Sequence, residues 1–369
     1  MKVVLAGGGS AGHVNPLLAT AAEIQRRHPA AEIHVLGTEA GLESELVPAA
    51  GLPLTFVPRA RVPRSLSLEW FALPSRLRAA IRVSRDLVEK VQPDVVVGFG
   101  GYVSTPAFIA AKGRPIVVHE GNARPGLANR VGSRTARVVA LTFPSTQLTA
   151  KRGRTIVTGL PLRAPIAELV AERTSGRGVQ ARAMAAKELG LDPDLPTLVV
   201  TGGSLGALSI NDAVSGAIAE LAELGQVLHI TGRGKDEPVR AAWVAAGSPG
   251  SYHILDYLTV MEKAYAVADI VLTRSGAGMV SELGALGIAG VFVPLPIGNG
   301  EQRLNAADTI AAGGGIIVED KDLTPERVRD TVGGLLRDIE AAHEMGRKAQ
   351  GVAPHDAAAR LVDAIEECL

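Results

Sequence analysis

Gly7, Gly9 and Gly12 end an apolar run in "VVLAGGGSAGHVNP" (3–16), and His13 follows at once. Glycines at this spacing let the backbone approach a phosphate. A helix starting there adds N–H groups and the positive end of its dipole. Taken alone, G-x-G-x-x-G spells either half of a dinucleotide site or a tight β–α turn. A dinucleotide site wants an acid roughly 20 residues on, at the end of the second strand. Here "VLGTEAG" offers only Glu39, which comes later than that and reads better as a solvated loop acid. His13 has no place in such a site. In the first turn of a helix the dipole disfavours a cation and favours the neutral imidazole. A neutral imidazole beside a phosphate-sized cavity can take a proton from a hydroxyl. The plainer alternative is a histidine that caps its own loop.

Another turn repeats the pattern. "TGGSLGALSIN" (201–211) carries Gly202, Gly203 and Gly206, with Ser204 able to donate to a phosphate oxygen and Asn211 two turns into a helix. "RSGAGMVSEL" (274–283) then gives a strand end, a Gly/Ser turn and a helix holding Glu282. A carboxylate there can accept both hydroxyls of a ribose; a solvated helix-face acid has the same spacing. The polar loop "PIGNGEQRLNA" (296–306) offers Asn299, Glu301, Gln302 and Asn305 to sugar hydroxyls.

Two further loops follow strands in the first half. "GFGGYVSTP" (98–106) places Tyr102 after a glycine turn, and "VVHEGNARPGLANR" (117–130) places His119, Glu120 and Asn122 past a strand end. Parallel strands share their C-terminal edge, so both loops are expected beside Gly7–His13. Two Asp-x-Asp triplets, Asp192–Asp194 and Asp320–Asp322, have the form of a metal pair. Asp192–Asp194 precedes a strand, on the wrong edge. Asp320–Asp322 has the form of a helix entry capped by Thr324 with Pro325 at the first position. Both read as structural. Residues 59–85 hold seven Arg (59, 61, 64, 76, 78, 82, 85) against Glu69, interleaved with Leu66, Leu68, Trp70, Phe71 and Leu73. That mixture suits an anionic membrane surface, or else an ordinary solvated basic helix face.

The elements that must position these residues alternate. "KVVLA" (2–6), "EIHVLG" (32–37), "LTFV" (54–57), "DVVVGF" (94–99), "PIVVH" (115–119) and "RVVAL" (137–141) read as strands apolar on both parities. Helix-length stretches such as 16–28 and 75–91 separate them. This is βαβ repetition, hence a parallel sheet covered on both faces. After "GLPLR" (159–163) the grammar restarts, with strands expected in 196–207, 226–232, 252–257, 268–276, 290–294 and 314–320. At 369 residues two domains are expected. Lys+Arg and Asp+Glu are 38 each, so bulk charge draws no nucleic acid. The single cysteine, Cys368, rules out an internal disulfide and fits a reducing cytoplasm. No apolar run reaches the ~18–20 residues that span a bilayer, which points to a soluble or peripheral protein.

Together "GGGSAGHVNP", "GFGGYVSTP", "HEGNARPGLANR", "GLPLR", "TGGSLGA", "RSGAGMVSE" and "EQRLNA" resemble the MurG family, in order over nearly the whole chain. These are the UDP-N-acetylglucosamine–N-acetylmuramyl-(pentapeptide) pyrophosphoryl-undecaprenol N-acetylglucosamine transferases. The resemblance implies an α/β GT-B glycosyltransferase fold, two Rossmann-like domains with parallel sheets facing across a cleft. Residues 1–160 would form the acceptor- and membrane-facing domain and 161–344 the UDP-GlcNAc-binding domain. A C-terminal helix over about 345–369 would pack back on the first. The implied reaction is inverting transfer of GlcNAc from UDP-GlcNAc to the MurNAc 4-hydroxyl of lipid I, forming lipid II in peptidoglycan biosynthesis, without metal or cofactor.

Residue by residue, the resemblance implies donor contacts from Ala277, Gly278, Met279, Val280, Ser281 and Glu282, the last on the ribose. Ser204 and Arg163 would face the phosphates, Leu258 the uracil and Gln302 the GlcNAc hydroxyls. Ser10, Ala11, Gly12 and Asn122 would also face the donor, with Gly9, Gly12, Tyr102 and Asn122 toward the acceptor. His13 is the expected base, with Glu120 and His119 as rivals. Leu66, Leu68, Trp70, Phe71, Arg76, Arg78 and Arg82 would meet the cytoplasmic face of the cell membrane, as a peripheral protein among cell-wall synthesis and division partners. Family members often have T-G-G-H where this chain has Ser10-Ala11-Gly12-His13, which keeps a hydroxyl. Many have paired glutamines where this chain has Glu301-Gln302, so the sugar role passes only to Gln302.

Overall fold

The computed structural model describes residues 1–60, 69–203 and 206–369, with residues 69–71 as helical backbone only. Ser204, Leu66 and Leu68 lie outside the described residues, as do the side chains of Trp70 and Phe71. The chain divides into two compact units, Met1–Arg163 with Asp356–Leu369, and Ala164–His355.

The first unit contains β1 (Lys2–Ala6), β2 (Glu32–Gly37), β3 (Leu54–Phe56), β4 (Val95–Gly98), β5 (Ile116–Glu120), β6 (Val138–Leu141) and β7 (Arg154–Val157). They form one sheet in the order β3-β2-β1-β4-β5-β6-β7, with every pair parallel. Alternate residues of β1 serve different cores. Val3 and Leu5 pack with Leu17 and Ile24, whereas Val4 and Ala6 pack with Phe108 and Leu87. That is why the strand is apolar on both parities. Ala6 lies opposite Leu36 on one side and Gly98 on the other. The chain order therefore reverses beside β1, and the turns leaving β1, β2 and β4 share one edge. Ligands bind doubly wound sheets at such a switch point.

The second unit contains β8 (Thr197–Thr201), β9 (Gln226–Ile230), β10 (Tyr252–Leu255), β11 (Ile270–Thr273), β12 (Ala289–Phe292) and β13 (Gly315–Ile317). Their order, β10-β9-β8-β11-β12-β13, has the same reversal, now between β8 and β11. Thr201 and Thr273 face each other at the ends of those strands. The glycine turn after β8 and the Ser275–Ala277 turn after β11 thus leave the sheet side by side.

Three expectations change. The helix after β1 runs Ala11–Arg27 rather than starting near Pro16. Pro16 lies inside it and removes the hydrogen bond that the Gly12 carbonyl would otherwise accept. The strand β7 has no counterpart among the expected strands, because Arg154, Thr155 and Val157 are exposed and an edge strand of four residues has little apolar pattern. The expected C-terminal helix over 345–369 is two helices, Ile339–Gln350 and Ala357–Glu366, separated by a connector holding Gly351 and Pro354. Only the latter joins the first unit, where Leu361 and Ile365 are buried beside Leu17 and Ile24. Arg27 also donates to Asp363 and Glu366 on this helix. Truncating one such buried aliphatic to alanine costs about 2–5 kcal/mol, so the terminal helix belongs to the fold of this unit.

Candidate functional site

His13 occupies the third position of the helix Ala11–Arg27, half-buried at the rim of the sheet edge. Its Nδ1 lies 3.1 Å from the Gly8 carbonyl oxygen and 3.1 Å from Ser10 Oγ. A carbonyl can only accept, so Nδ1 carries the proton and the lone pair is on Nε2. This is the tautomer a general base needs if it is to work through Nε2. Gly101 makes the arrangement possible. Its φ is +76°, and a Cβ there would stand 2.6 Å from the Gly8 oxygen. A Cβ on neighbouring Gly100 would meet His13 Nε2 at 3.0 Å. The "GFGG" loop is thus the wall against which the imidazole lies.

Behind the turn sits a carboxylate that spacing alone does not single out. Glu43 opens the helix Glu43–Ala49 and is fully buried. Its Oε2 accepts from Gly9 N at 3.0 Å, and its Oε1 accepts from Thr38 N at 2.9 Å and Thr38 Oγ1 at 2.6 Å. Burial pushes the Glu43 carboxyl up, but the Thr38 hydroxyl and the Gly9 and Thr38 N–H groups outweigh it, and the net displacement is downward. Glu43 is therefore ionised at neutral pH. Glu39, the acid that spacing brings forward, is exposed. Because Gly9 N–H points inward to Glu43, the turn does not offer that donor to an outside phosphate.

Tyr102 belongs to the same cluster. Its ring packs on Gly9 and its hydroxyl lies 3.1 Å from Thr38 Oγ1. Since Thr38 Oγ1 already donates to Glu43, Tyr102 donates to Thr38 and presents lone pairs elsewhere. Arg59 stands over the ring, 5.8 Å from its centre.

The two rival bases are committed differently. His119 is buried, and its Nε2 donates to the Gly159 carbonyl at 3.1 Å. Burial pushes its imidazole down to about 4 against the opposing effect of that carbonyl, with His13 adding slightly to the fall. Glu120 is also buried. Its Oε1 accepts from Asn122 N at 3.0 Å, and its Oε2 accepts from Gly126 N and Asn129 Nδ2, each at 2.9 Å. These bonds shape the 121–126 loop and so set where Asn122 stands.

In the second unit the helix Ala277–Leu286 begins beside β8 with Gly276 extended (φ −62°, ψ 150°) and no side chain capping it. Ala277, Gly278 and Met279 are half-buried at this N-terminus, and Val280, Ser281 and Glu282 are buried behind them. A helix start without a side-chain cap presents N–H groups to an anion. Ser275 Oγ is fully buried there with no hydrogen-bond partner among the described residues. Gln302 lies in the short helix Glu301–Asn305 rather than in a loop, its Oε1 accepting from Leu295 N at 2.9 Å, which leaves its amide N–H groups as the recognition end. Leu258 follows β10 on the same edge, and Arg163 is the last residue before the second unit.

One aspartate of each Asp triplet accepts from its own surroundings. Asp320 Oδ1 accepts from Ser209 Oγ at 2.7 Å and from Arg274, which also donates to the Val293 and Pro294 carbonyls. Asp192 Oδ1 accepts from Asp194 N at 2.9 Å. Asn211 does more than pack. It accepts from the buried His229 Nε2 at 3.1 Å and donates to the Thr231 carbonyl, pinning its helix to β9.

Residues 3–141 match the glycosyltransferase family 28 N-terminal domain, and residues 197–361 match the glycosyltransferase family 28 C-terminal domain. A curated protein from a Nocardioides species is 48% identical over 100% of this chain and 98% of its own length. One from Streptomyces coelicolor is 45% identical over 100% and 98%. Both are named UDP-N-acetylglucosamine–N-acetylmuramyl-(pentapeptide) pyrophosphoryl-undecaprenol N-acetylglucosamine transferase. The crystal structure of Acinetobacter baumannii MurG superposes with a TM-score of 0.79 at 28% identity, covering 99% of both chains. A UDP-GlcNAc 2-epimerase from Neisseria meningitidis, solved with UDP-GlcNAc, gives 0.71 at 16% identity over 100% of both, a likeness of fold alone.

Proposed function

The chain belongs to the MurG family within glycosyltransferase family 28, and on that premise we propose that it transfers GlcNAc from UDP-GlcNAc to the MurNAc 4-hydroxyl of lipid I. The product is lipid II, the β-1,4-linked disaccharide precursor of peptidoglycan. The two units divide the work. The second holds the donor, with the diphosphate at the Ala277 helix start, Ser204 toward the phosphates, Glu282 on the ribose, Leu258 on the uracil and Gln302 on the sugar; Arg163, which ends the first unit, is assigned to the phosphates by family resemblance. The first holds the acceptor beside Gly12, Tyr102 and Asn122 and supplies the base.

The chemistry is a single inverting displacement. The acceptor O4–H gives its proton to His13 Nε2 as the oxygen attacks the anomeric carbon. The bond to UDP breaks on the opposite face, and the charge growing on UDP is stabilised by backbone N–H groups at a helix N-terminus. One observation carries the choice of base. His13 is half-buried at the sheet edge with its proton held on Nδ1 by the Gly8 carbonyl, whereas His119 and Glu120 are buried.

No helix among the described residues is long and apolar enough to cross a membrane. The helix Glu69–Val91 presents Arg76, Arg78 and Arg82 to solvent, which supports peripheral attachment to the anionic cytoplasmic face of the cell membrane. Through its product the protein serves cell-wall biogenesis, cell shape, division and the cell cycle, alongside other cell-wall proteins. Transfer of radiolabelled GlcNAc to a lipid I analogue, with EDTA present, tests the reading. The expected result is an acceptor-dependent disaccharide product. Consumption of UDP-GlcNAc without acceptor would instead identify an epimerase.

A further inference from the structure

The Gly8 carbonyl and the Gly9 N–H are two ends of one peptide group. The carbonyl end accepts from His13 Nδ1 at 3.1 Å, and the N–H end donates to Glu43 Oε2 at 3.0 Å and Oε1 at 3.2 Å. We propose that Glu43 is the positioning residue of the base, acting through the Gly8–Gly9 peptide to hold His13 with its proton on Nδ1 and to favour the imidazolium that forms when Nε2 takes a proton. This rests on the assignment of His13 as the base.

The physical reasoning has three parts. A carboxylate accepting from an N–H polarises the peptide, and the carbonyl at its other end becomes a better acceptor. A carbonyl that accepts from Nδ1 dictates which imidazole nitrogen lacks the proton. An anion lined up with a forming cation stabilises it, the role that a buried aspartate plays toward histidine in hydrolase triads, here relayed by a peptide instead of a direct contact.

The surroundings support a dedicated function. Gly8 must lack a side chain, because a Cβ there would collide with the Glu43 carboxylate. Thr38 supplies two more donors to the carboxylate, and Tyr102 anchors Thr38. The charge is thereby kept in place by neutral donors. A carboxylate that merely capped its own helix would not require the Gly8–Gly9 peptide to face it.

The test compares Glu43→Gln with His13→Ala in the GlcNAc-transfer assay. Glutamine keeps the size and one acceptor but removes the charge. The kcat of Glu43→Gln should fall about 10- to 100-fold, the scale on which removing a partner that orients a metal-ligating histidine acts. Its KM for UDP-GlcNAc should stay within about 2-fold of wild type, since transition-state interactions alone are lost. The acid limb of its pH–rate profile should move to lower pH, because a cation no longer favoured deprotonates more readily. Nitrogen-15 spectra of labelled histidine should show His13 protonated at Nδ1 in the wild type and a tautomer mixture in Glu43→Gln. An unmoved acid limb with an unmoved tautomer overturns the proposal, even if kcat falls, because a merely structural carboxylate would behave that way. Near-normal turnover by His13→Ala overturns the base assignment instead, so the two failures are distinguishable. Far-UV circular dichroism confirms that each variant is folded before these comparisons are made.

Discussion

The two glycine turns are alike in sequence and differ in electrostatics. Both leave the central strand of a doubly wound sheet at its switch point. In the first, a buried carboxylate stands behind the loop and takes the Gly9 N–H. In the second, Gly203 N donates to the neutral Thr201 hydroxyl, and the neighbouring helix starts at Ala277 without a side-chain cap. An anion about 6 Å from the Glu43 carboxylate would be repelled by about 3 kcal/mol per charge at an effective dielectric of about 20. A diphosphate is therefore far better received in the second unit. On the reading proposed above, the same motif serves anion binding in one place and holds an imidazole in the other.

Breaking the first half of this contrast gives the largest effect. His13→Ala should lower kcat by about 10³-fold, within the range for loss of a general base, while KM for UDP-GlcNAc hardly moves. Steady-state transfer kinetics read both. Breaking the other half acts on affinity. Glu282→Ala should raise the KM for UDP-GlcNAc about 10- to 100-fold, since a charge-assisted hydrogen bond contributes roughly 1.5–3 kcal/mol. A sharper manipulation gives the second unit the charge that the first already has. A Cβ on Gly276 has open space around it, so Gly276→Asp fits and can cap the helix. The variant should melt no lower than wild type in a thermal scan yet bind UDP-GlcNAc about 10-fold more weakly, as an anion competing at a helix N-terminus must.

A separate effect concerns stability rather than turnover, and each unit contributes a deeply buried histidine. His119 is pushed down to about 4 and His229 to about 3, both by burial first. Each is neutral in the folded state and protonates in the unfolded chain below pH 6.5, the ordinary value. The unfolded state then binds more protons, so stability is full above that pH. It falls from there to about 4 for His119 and to about 3 for His229. The slope is at most about 1.4 kcal/mol per pH unit for each histidine. Urea unfolding at a series of pH values checks this, and replacing either histidine should flatten the decline.

Strand positions were legible wherever burial on both faces produced unbroken valine-rich apolar runs, as in β1 and β4. They were not legible in β7, whose exposed residues carry no such signal. The helix-length stretch read from Pro16 reaches back to Ala11, with the Pro16 hydrogen bond omitted, and so puts His13 in the first turn. His13 could be singled out because its residue type had no use in a dinucleotide site. Glu43 could not, since an acid in the first turn of a helix usually faces water. The available sign was the density of small residues before it: Gly37 and Gly41 precede it in sequence and, like Gly8, leave no room for a Cβ beside its side chain. Seeing what those glycines make room for requires the three loops to be brought together.

The division of labour is tested most directly by titrating UDP-GlcNAc into His13→Ala in a calorimeter. A Kd within about 2-fold of wild type is predicted, because that substitution removes only an interaction made in the transition state. A Kd weakened about 10-fold or more, by a residue assigned solely to the acceptor's proton, would contradict the account.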